Sequence, residues 1–351
     1  NVNNVSLSNI TTSYIHIVNA ANVSLSETTI NGMDASAILM GVENLTMDNV
    51  ELSGNYDSLM LYDVSPASFK DIWTEGYIKI EESYSTYYYD LEFSNVTVNG
   101  KPFHYMVNET NTVIENIDAS EVFLANSENL TIRDLSVNAL FVYSSTNVTI
   151  CDSKAYGSFP LIYVNSHVEI RNVEVYGSGT NSYGGIYING VKIYLENVRL
   201  HDLNAGITMI SASDIYIVSS DFSNLNKPIR FLADSYHNIT ITNSRFTNAG
   251  ELVVGSAIIS ERMDLLFFAY GLLGYDAYNL AIYENRFEQT TVLDNEINRF
   301  DNGYRGNIWV GISNWDSNFD GIHDYEYKIP GYGMSVDRYP LVEFNLFLLY
   351  Y

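Results

Sequence analysis

The chain has 351 residues, 42 acidic and 17 basic side chains, a formal net charge of −25 and one cysteine. That balance argues against nucleic acid or an anionic membrane surface as a partner, and favours solubility, cations or basic partners. A lone Cys151 cannot make an internal disulfide, and the apolar run Leu346–Tyr351 is far too short to cross a bilayer, so no direct membrane span is expected in this segment.

The chain starts inside a repeat, at Asn4-Val-Ser-Leu7, with neither an initiator methionine nor a signal peptide. This start is expected to be a processed or cut edge, or to dock on another domain or subunit, because the first turn of a solenoid needs a cover. Each repeat reads apolar-x-apolar-x-Asn/Asp-x-x-apolar. Leu130-Thr-Ile-Arg-Asp134-Leu-Ser-Val137 aligns with Val148-Thr-Ile-Cys-Asp152-Ser-Lys-Ala155 and with Val168-Glu-Ile-Arg-Asn172-Val-Glu-Val175. The polar position recurs thirteen times, at Asn9, Glu27, Asn49, Asp71, Asn95, Asn116, Asp134, Asp152, Asn172, Asn197, Ser219, Asn243 and Glu284. Spacings run from 18 to 25 residues, except for a last gap of 41 that holds either one more turn or a long insertion. A second apolar pair precedes many units, as in Ile38-Leu-Met40, Leu59-Met-Leu61 and Ile186-Tyr-Ile188.

Alternation of period two with β-branched and aromatic residues, and no sustained helical period, predicts strands. A fixed period of this size predicts a solenoid. The fold class is therefore all-β: a right-handed parallel β-helix, the pectin-lyase-like solenoid, of about 13 turns, its hand following the chirality of parallel crossovers. The Asn/Asp column is expected at a bend, where side-chain amides bond backbone groups that the bend leaves unpaired. The β-helix is assigned to residues 1–300, with an insertion at about 250–278, and a C-terminal capping module to 301–351.

Nine N-x-S/T sequons lie along the chain, at Asn4, Asn9, Asn22, Asn44, Asn95, Asn108, Asn129, Asn147 and Asn238. They are N-glycosylation sites of a secreted protein or by-products of the repeat, since six occupy one equivalent corner and Asn9 and Asn95 sit in the polar column. Tyr84, Tyr87, Tyr88 and Tyr89, with acidic neighbours Glu81, Glu82 and Asp90, are candidates for stacking on a glycan; the alternative is burial against the solenoid or a neighbouring molecule. Tyr176 and Tyr183 flank a Gly-rich loop and share both readings. The position two after the polar column holds Lys154, Glu174, Arg199, Asp221 and Arg245 in successive turns, which predicts an alternating charge ladder.

Catalysis on a β-helix needs carboxylates, alone or with an Arg or Lys base, gathered on one face. The candidates are Asp202, Asp221, Asp234, Arg230 and Arg245, of which Asp221 and Arg245 already belong to the ladder. No Asp-Asp pair near Gly-His-Gly and no Arg-x-Pro-x-x-Arg occurs. The six histidines are scattered and the methionines unclustered, so no copper site is evident. The insertion carries Leu265-Leu-Phe-Phe-Ala-Tyr-Gly-Leu-Leu-Gly-Tyr275, too apolar to hang in solvent: an extra turn, a lateral cap or a subunit contact.

Near the C-terminus stands Asp316-x-Asn318-x-Asp320-Gly321-x-x-Asp324. Oxygen ligands at positions 1, 3 and 5, a turn glycine at 6 and an Asp at 9 match the first part of an EF-type Ca2+ loop, with Ile322 offering a backbone carbonyl. Tyr327 stands at position 12 in place of a bidentate Glu, so Asp324, Glu326 or Asp337 must complete the sphere. The alternative is an Asp/Asn/Gly-rich turn without metal.

Two segments carry a resemblance. Val98-Asn-Gly-Lys-Pro-Phe-His-Tyr-Met-Val-Asn108, followed by Asn116–Asn126, looks like a recurrent segment of NosD-like right-handed β-helix proteins with carbohydrate-binding-and-sugar-hydrolase type repeats. Asn302-Gly-Tyr-Arg-Gly-Asn-Ile-Trp309, the Asp316–Asp324 loop and Asp337-Arg-Tyr-Pro-Leu341 are similar in order to the C-terminal end of archaeal members. The resemblance implies an exported protein. One branch of the family assists copper-site assembly, others are archaeal surface or S-layer proteins, and some relatives of the fold cleave polysaccharides. Together these readings predict a calcium-stabilised, non-enzymatic, extracellular structural or adhesive protein of the cell surface, S-layer or filament associated. Its expected partners are neighbouring copies or other cell-surface proteins. A glycan-binding or polysaccharide-cleaving protein is the alternative.

Overall fold

A computed structural model describes the chain apart from residues 1, 34, 55–56, 82–89, 158–160, 165–166, 180–183, 232–234, 255–275, 295–297, 313–314, 319, 331–334 and 343–351. The described residues form strands and turns with no α-helix, as two compact units, Asn1–Thr146 and Asn147–Tyr351. Each unit is a parallel β-solenoid.

In the first unit Val2–Ser8 pairs in parallel with Ile15–Asn31, which pairs with Ala37–Ser53. That strand continues onto Asp57–Tyr62 and Ala67–Thr74, which carry Tyr77–Glu81 and Leu91–Val98. The register stacks like on like: Leu7, Leu25, Met47, Phe69 and Phe93 form one column. Leu25, Met47 and Phe69 are fully buried. Alternate residues face inward because side chains alternate along a strand. The same alternation closes the core and leaves most charged residues outside, while Thr28, Ser36, Ser58, Thr74 and Glu121 are buried.

Among the described residues of the first unit, one strand pairing is antiparallel. Leu91–Val98 and Lys101–Val107 form an antiparallel hairpin, with Val98 opposite Lys101. Its turn is Asn99-Gly100, both in the left-handed region at φ 49° and 74°. Two positive φ values define the tight hairpin turn for which Asn-Gly is the preferred pair. Lys101–Val107 then pairs in parallel with Glu121–Ala125, and that with Ala139–Tyr143.

In the second unit the corresponding stacks run from Thr146–Tyr156 through Val168–Tyr176, Gly185–Glu196 and Arg199–Val218 to Asp221–Phe231 and Ser235–Thr242. Ser235–Thr242 pairs directly with Asp276–Tyr283, and Arg245–Val254 with Arg286–Asp294. Ile239 meets Leu280 and Phe246 meets Phe287 with no strand between. The gap of 41 residues therefore holds an insertion and not a further turn. Its apolar run, Leu265–Tyr275, lies outside the described residues.

All thirteen residues of the polar column adopt left-handed backbone, with φ between 46° and 59°. This is why Asn and Asp dominate it: their short side chains tolerate a conformation that costs other non-glycine residues about 1–2 kcal/mol. The expected bonding to backbone groups at the bend is not what Asn95, Asn172 and Asn197 show, since their side chains bond other side chains. They bond one another from turn to turn: Asn95 Nδ2 donates to Asp71 (2.6 Å), Asn172 to Asp152 (2.9 Å) and Asn197 to Asn172 (2.8 Å). Other left-handed corners repeat the device, with Asn22 donating to Asn4, Asn44 to Asn22 and Asn238 to Asp214.

The charge column has the expected register, with Lys154, Glu174, Arg199, Asp221 and Arg245 paired in sequence. Arg199 reaches Glu174 at 3.4 Å, while Arg245 turns to Glu288 at 3.7 Å. An exposed pair of this kind is worth about 0–1 kcal/mol. Reversing Arg199→Glu places it opposite both Glu174 and Asp221, and is expected to lower the melting temperature by a few degrees. The same change at Arg305, outside the column, should do less. Indistinguishable melting curves for the two variants would show that the ladder contributes nothing.

Candidate functional site

The C-terminal loop is folded around its own acidic side chains. Asp316 accepts the N–H of Asp320 on Oδ1 (3.2 Å) and that of Gly321 on Oδ2 (3.0 Å). Asn318 Oδ1 also accepts from Asp320 N, and its Nδ2 donates to Asp320 Oδ2 at 2.9 Å. Asp320 Oδ1 takes the N–H of Ile322 (2.8 Å), and Asp324 Oδ2 that of Ser317 (3.0 Å). Gly321 has φ 87°, which permits the reversal at the sixth position. The loop is tied down from below, since His323 N donates to the Pro340 carbonyl and Val342 N to that of Gly321. Burial pushes the pKa of His323 down against the pull of Asp316 and Asp324, and its Nδ1 accepts the N–H of Trp315 at 3.3 Å.

Asp316, Asn318, Asp320 and Asp324 thus belong to one turn, which also engages the Ile322 N–H. Among the described residues no three His, Cys, Asp or Glu side chains already converge as a metal cage. The carboxylates keep lone pairs beyond those that their N–H donors use, so the donor set suits a hard, oxygen-seeking cation. Asp337, considered above as a distant ligand, is not available to it, because it is fully buried and engaged elsewhere. Tyr327 occupies the twelfth position because it ends an inward aromatic stack, 4.4 Å from the Trp309 ring.

That stack and a buried polar ladder form the end of the second unit. Phe222, Phe246, Phe287 and Trp309 follow one another at centroid spacings of 4.6, 4.9 and 4.7 Å. Beside them, Val198 N donates to Ser220 Oγ, Ser220 N to Ser244 Oγ, Ser244 N to Asn285 Oδ1 and Asn285 N to Asn307 Oδ1. The ladder ends on Asp337, whose Oδ2 accepts from Asn307 N at 2.7 Å and Trp309 Nε1 at 2.9 Å. Burial pushes the Asp337 carboxyl up to about 6, with these N–H donors pulling the other way. The adjacent Arg338 grips Asp301 through Nε (2.9 Å) and Nη2 (2.7 Å). Burial alone would raise the Asp301 pKa, but the guanidinium and two backbone N–H groups outweigh it and hold the carboxyl below its usual range.

The carboxylates considered for catalysis are distributed over a structural network. Asp202 Oδ2 faces His201 Nδ1 at 2.8 Å and its Oδ1 accepts from Asn224 Nδ2 at 3.2 Å. His201 Nε2 faces Glu174 at 3.2 Å, and the ring stacks on Tyr176, which stacks on Tyr156. Both imidazole nitrogens are thus engaged, leaving none aimed at a substrate. Asp221 and Arg245 lie in the ladder, Arg230 is exposed, and Asp234 lies outside the described residues. The residues that sequence reasoning passed over are His201, which no spacing marks, and Trp73. Trp73 is partly exposed and lines a groove of about 490 Å³ with Glu27, Asn49, Glu51 and Asp71.

All nine sequon asparagines are exposed, and all nine have left-handed backbone. The corner geometry is therefore sufficient to place Asn there, and exposure leaves each reachable by a glycan. Tyr84, Tyr87, Tyr88, Tyr89 and Tyr183 lie outside the described residues. No helix among the described residues is long and apolar enough to cross a membrane.

Stacked parallel coils, left-handed Asn corners and inward aromatic ladders define a β-helical solenoid. Residues 114–320 match the family described as a right-handed beta helix region, and this chain belongs to that family. No curated protein matches the chain.

Proposed function

We propose that the chain is an exported, calcium-stabilised structural or adhesive protein of the cell surface, of the kind that builds S-layers or filaments with neighbouring copies or other surface proteins. Within the right-handed β-helix family we place it with the NosD-like, archaeal cell-surface branch, on the segments Val98–Asn126 and Asn302–Leu341. The observation that carries this reading is the saturation of its polar side chains by one another. Asn and Asp corners bond turn to turn, and His201, Glu174, Asp202 and Arg199 close on themselves. Groups committed to stacking serve a durable scaffold. Exposed sequon asparagines suit a glycosylated exterior.

Calcium at Asp316, Asn318, Asp320, Asp324 and the Ile322 carbonyl would fasten the loop that lies over the last turns. Electron microscopy of the purified protein with calcium and with chelator tests the assembly. Ordered sheets or filaments that need calcium support it; dispersed particles in both conditions count against it. Calcium is also expected to raise the melting temperature, and Asp320→Ala to abolish that rise. If calcium leaves the melting temperature of the unmutated protein unchanged, the site is lost.

A second reading, glycan recognition, is favoured by the groove at Trp73. An indole face beside the carboxylates of Glu51 and Asp71 suits a sugar ring. Depletion by a polysaccharide that Trp73→Ala no longer shows would move the assignment there.

A further inference from the structure

The first unit buries one acidic side chain that no corner or ladder explains. Glu121 is wholly inaccessible, at the start of the strand Glu121–Ala125. Its Oε2 accepts a single hydrogen bond, from the N–H of Ile78 at 3.2 Å, and its Oε1 has no partner. Ile78 is 43 residues away in sequence, on the strand Tyr77–Glu81. In an uninterrupted stack that N–H would pair with the next strand. Here the antiparallel hairpin at Asn99-Gly100 breaks the succession, and the carboxyl group of Glu121 spans the break.

An isolated carboxylate in such a place is not tolerable as an ion. Its desolvation exceeds what one N–H donor returns, and the group takes up a proton instead. The surroundings reinforce this. Asp57, from the strand Asp57–Tyr62, adds negative charge, and Tyr77 lies in the same field. Lys79 acts on Asp57 and is paired with Glu81 at 2.9 Å. On the strands either side of Glu121 the ionisable groups are Lys101, His104, Tyr105 and Tyr143, and Lys101 is held by Asp118 at 2.7 Å. No cation among the described residues acts on Glu121.

We propose that Glu121 is carried in the folded protein as the neutral acid, and that its ionisation is a built-in release of the junction between Tyr77–Glu81 and Glu121–Ala125. Burial raises the Glu121 pKa well above the ordinary value, with the Ile78 N–H opposing and Asp57 adding. The folded state therefore holds a proton that the unfolded state gives up. The resulting stability is complete below the ordinary glutamate pKa and is lost as the pH rises toward the folded value. The junction is tight in acid and loosens toward alkaline pH.

Hydrogen exchange of the full chain, read on peptides containing Ile78, tests this in the wild type and in Glu121→Gln. The glutamine keeps an acceptor for Ile78 but cannot ionise. The ratio of wild-type to variant protection cancels intrinsic exchange and the titration of groups that do not act on Glu121, Asp337 included, and leaves the coupled titration of Glu121 with Asp57. That ratio is expected to fall about tenfold or more between pH 5 and pH 8, one pKa unit being a factor of ten. A constant ratio overturns the proposal. Should the variant fail to fold, the carboxyl carbon of Glu121 in the wild type decides by NMR. A group still protonated at pH 7 upholds the switch, and an ordinary glutamate titration overturns it.

Discussion

Asp337→Ala is expected to destabilise the second unit by about 3–5 kcal/mol, the range for breaking a buried charged network. Asp337 accepts from Asn307 N, Trp309 Nε1 and Tyr339 N, and the first two are buried donors left without an acceptor when the carboxylate is gone. A buried donor left unsatisfied costs about 1–3 kcal/mol. The loss also travels, because Asn307 is the rung on which Asn285, Ser244 and Ser220 depend. Asp337→Asn keeps one acceptor oxygen but turns an amide N–H toward another donor, so an intermediate loss is expected. Gly306→Ala should resemble the alanine variant, since a Cβ there would sit 1.6 Å from Asp337 Oδ1. Burial has pushed the Asp337 carboxyl up to about 6, above its unfolded value of 3.8. The folded form thus binds the proton more tightly, and wild-type stability should decline as pH rises from about 4 to about 6. Urea unfolding followed by tryptophan fluorescence measures all of these. A loss under 1 kcal/mol in Asp337→Ala would reduce the ladder's terminus to an ornament.

Phe246→Ala should cost a comparable 3–5 kcal/mol, the usual range for truncating a buried phenylalanine. The ring is fully buried, and lies nearly parallel to Phe222 at 4.6 Å and Phe287 at 4.9 Å. Its removal leaves a cavity in mid-column that neither neighbour can fill, because each is held in register by its own strand. Phe246→Leu refills most of the volume and is expected to lose well under half as much. Differential scanning calorimetry of the two variants checks the order, and equal losses would show that stacking geometry is irrelevant there.

The columns were legible because a solenoid repeats its local demands. Asn9 and Asn243 are far apart in sequence, yet each meets the same left-handed corner and answers it with the same residue. The charge column could be read for the same reason, as one position sampled in five successive turns. The Asn99-Gly100 hairpin is also written locally, in the pair that a tight turn prefers, although it departs from the repeat around it. The C-terminal loop was legible as a spacing of oxygens. Its twelfth position was not, because Tyr327 answers to the Trp309 ring and not to the loop.

The sequence by itself determined the β class, the turn-to-turn register and the place of the Asn/Asp corners, since each follows from a short pattern acting on the backbone beside it. Only the tertiary structure decided that the gap of 41 residues is an insertion, that Asp337 closes a buried ladder and that Glu121 spans a break toward Ile78. Those facts rest on atoms brought together from 30 or 43 residues apart. A buried carboxyl is chosen by the one donor that the surrounding turns leave over, and no local pattern records which donor that is.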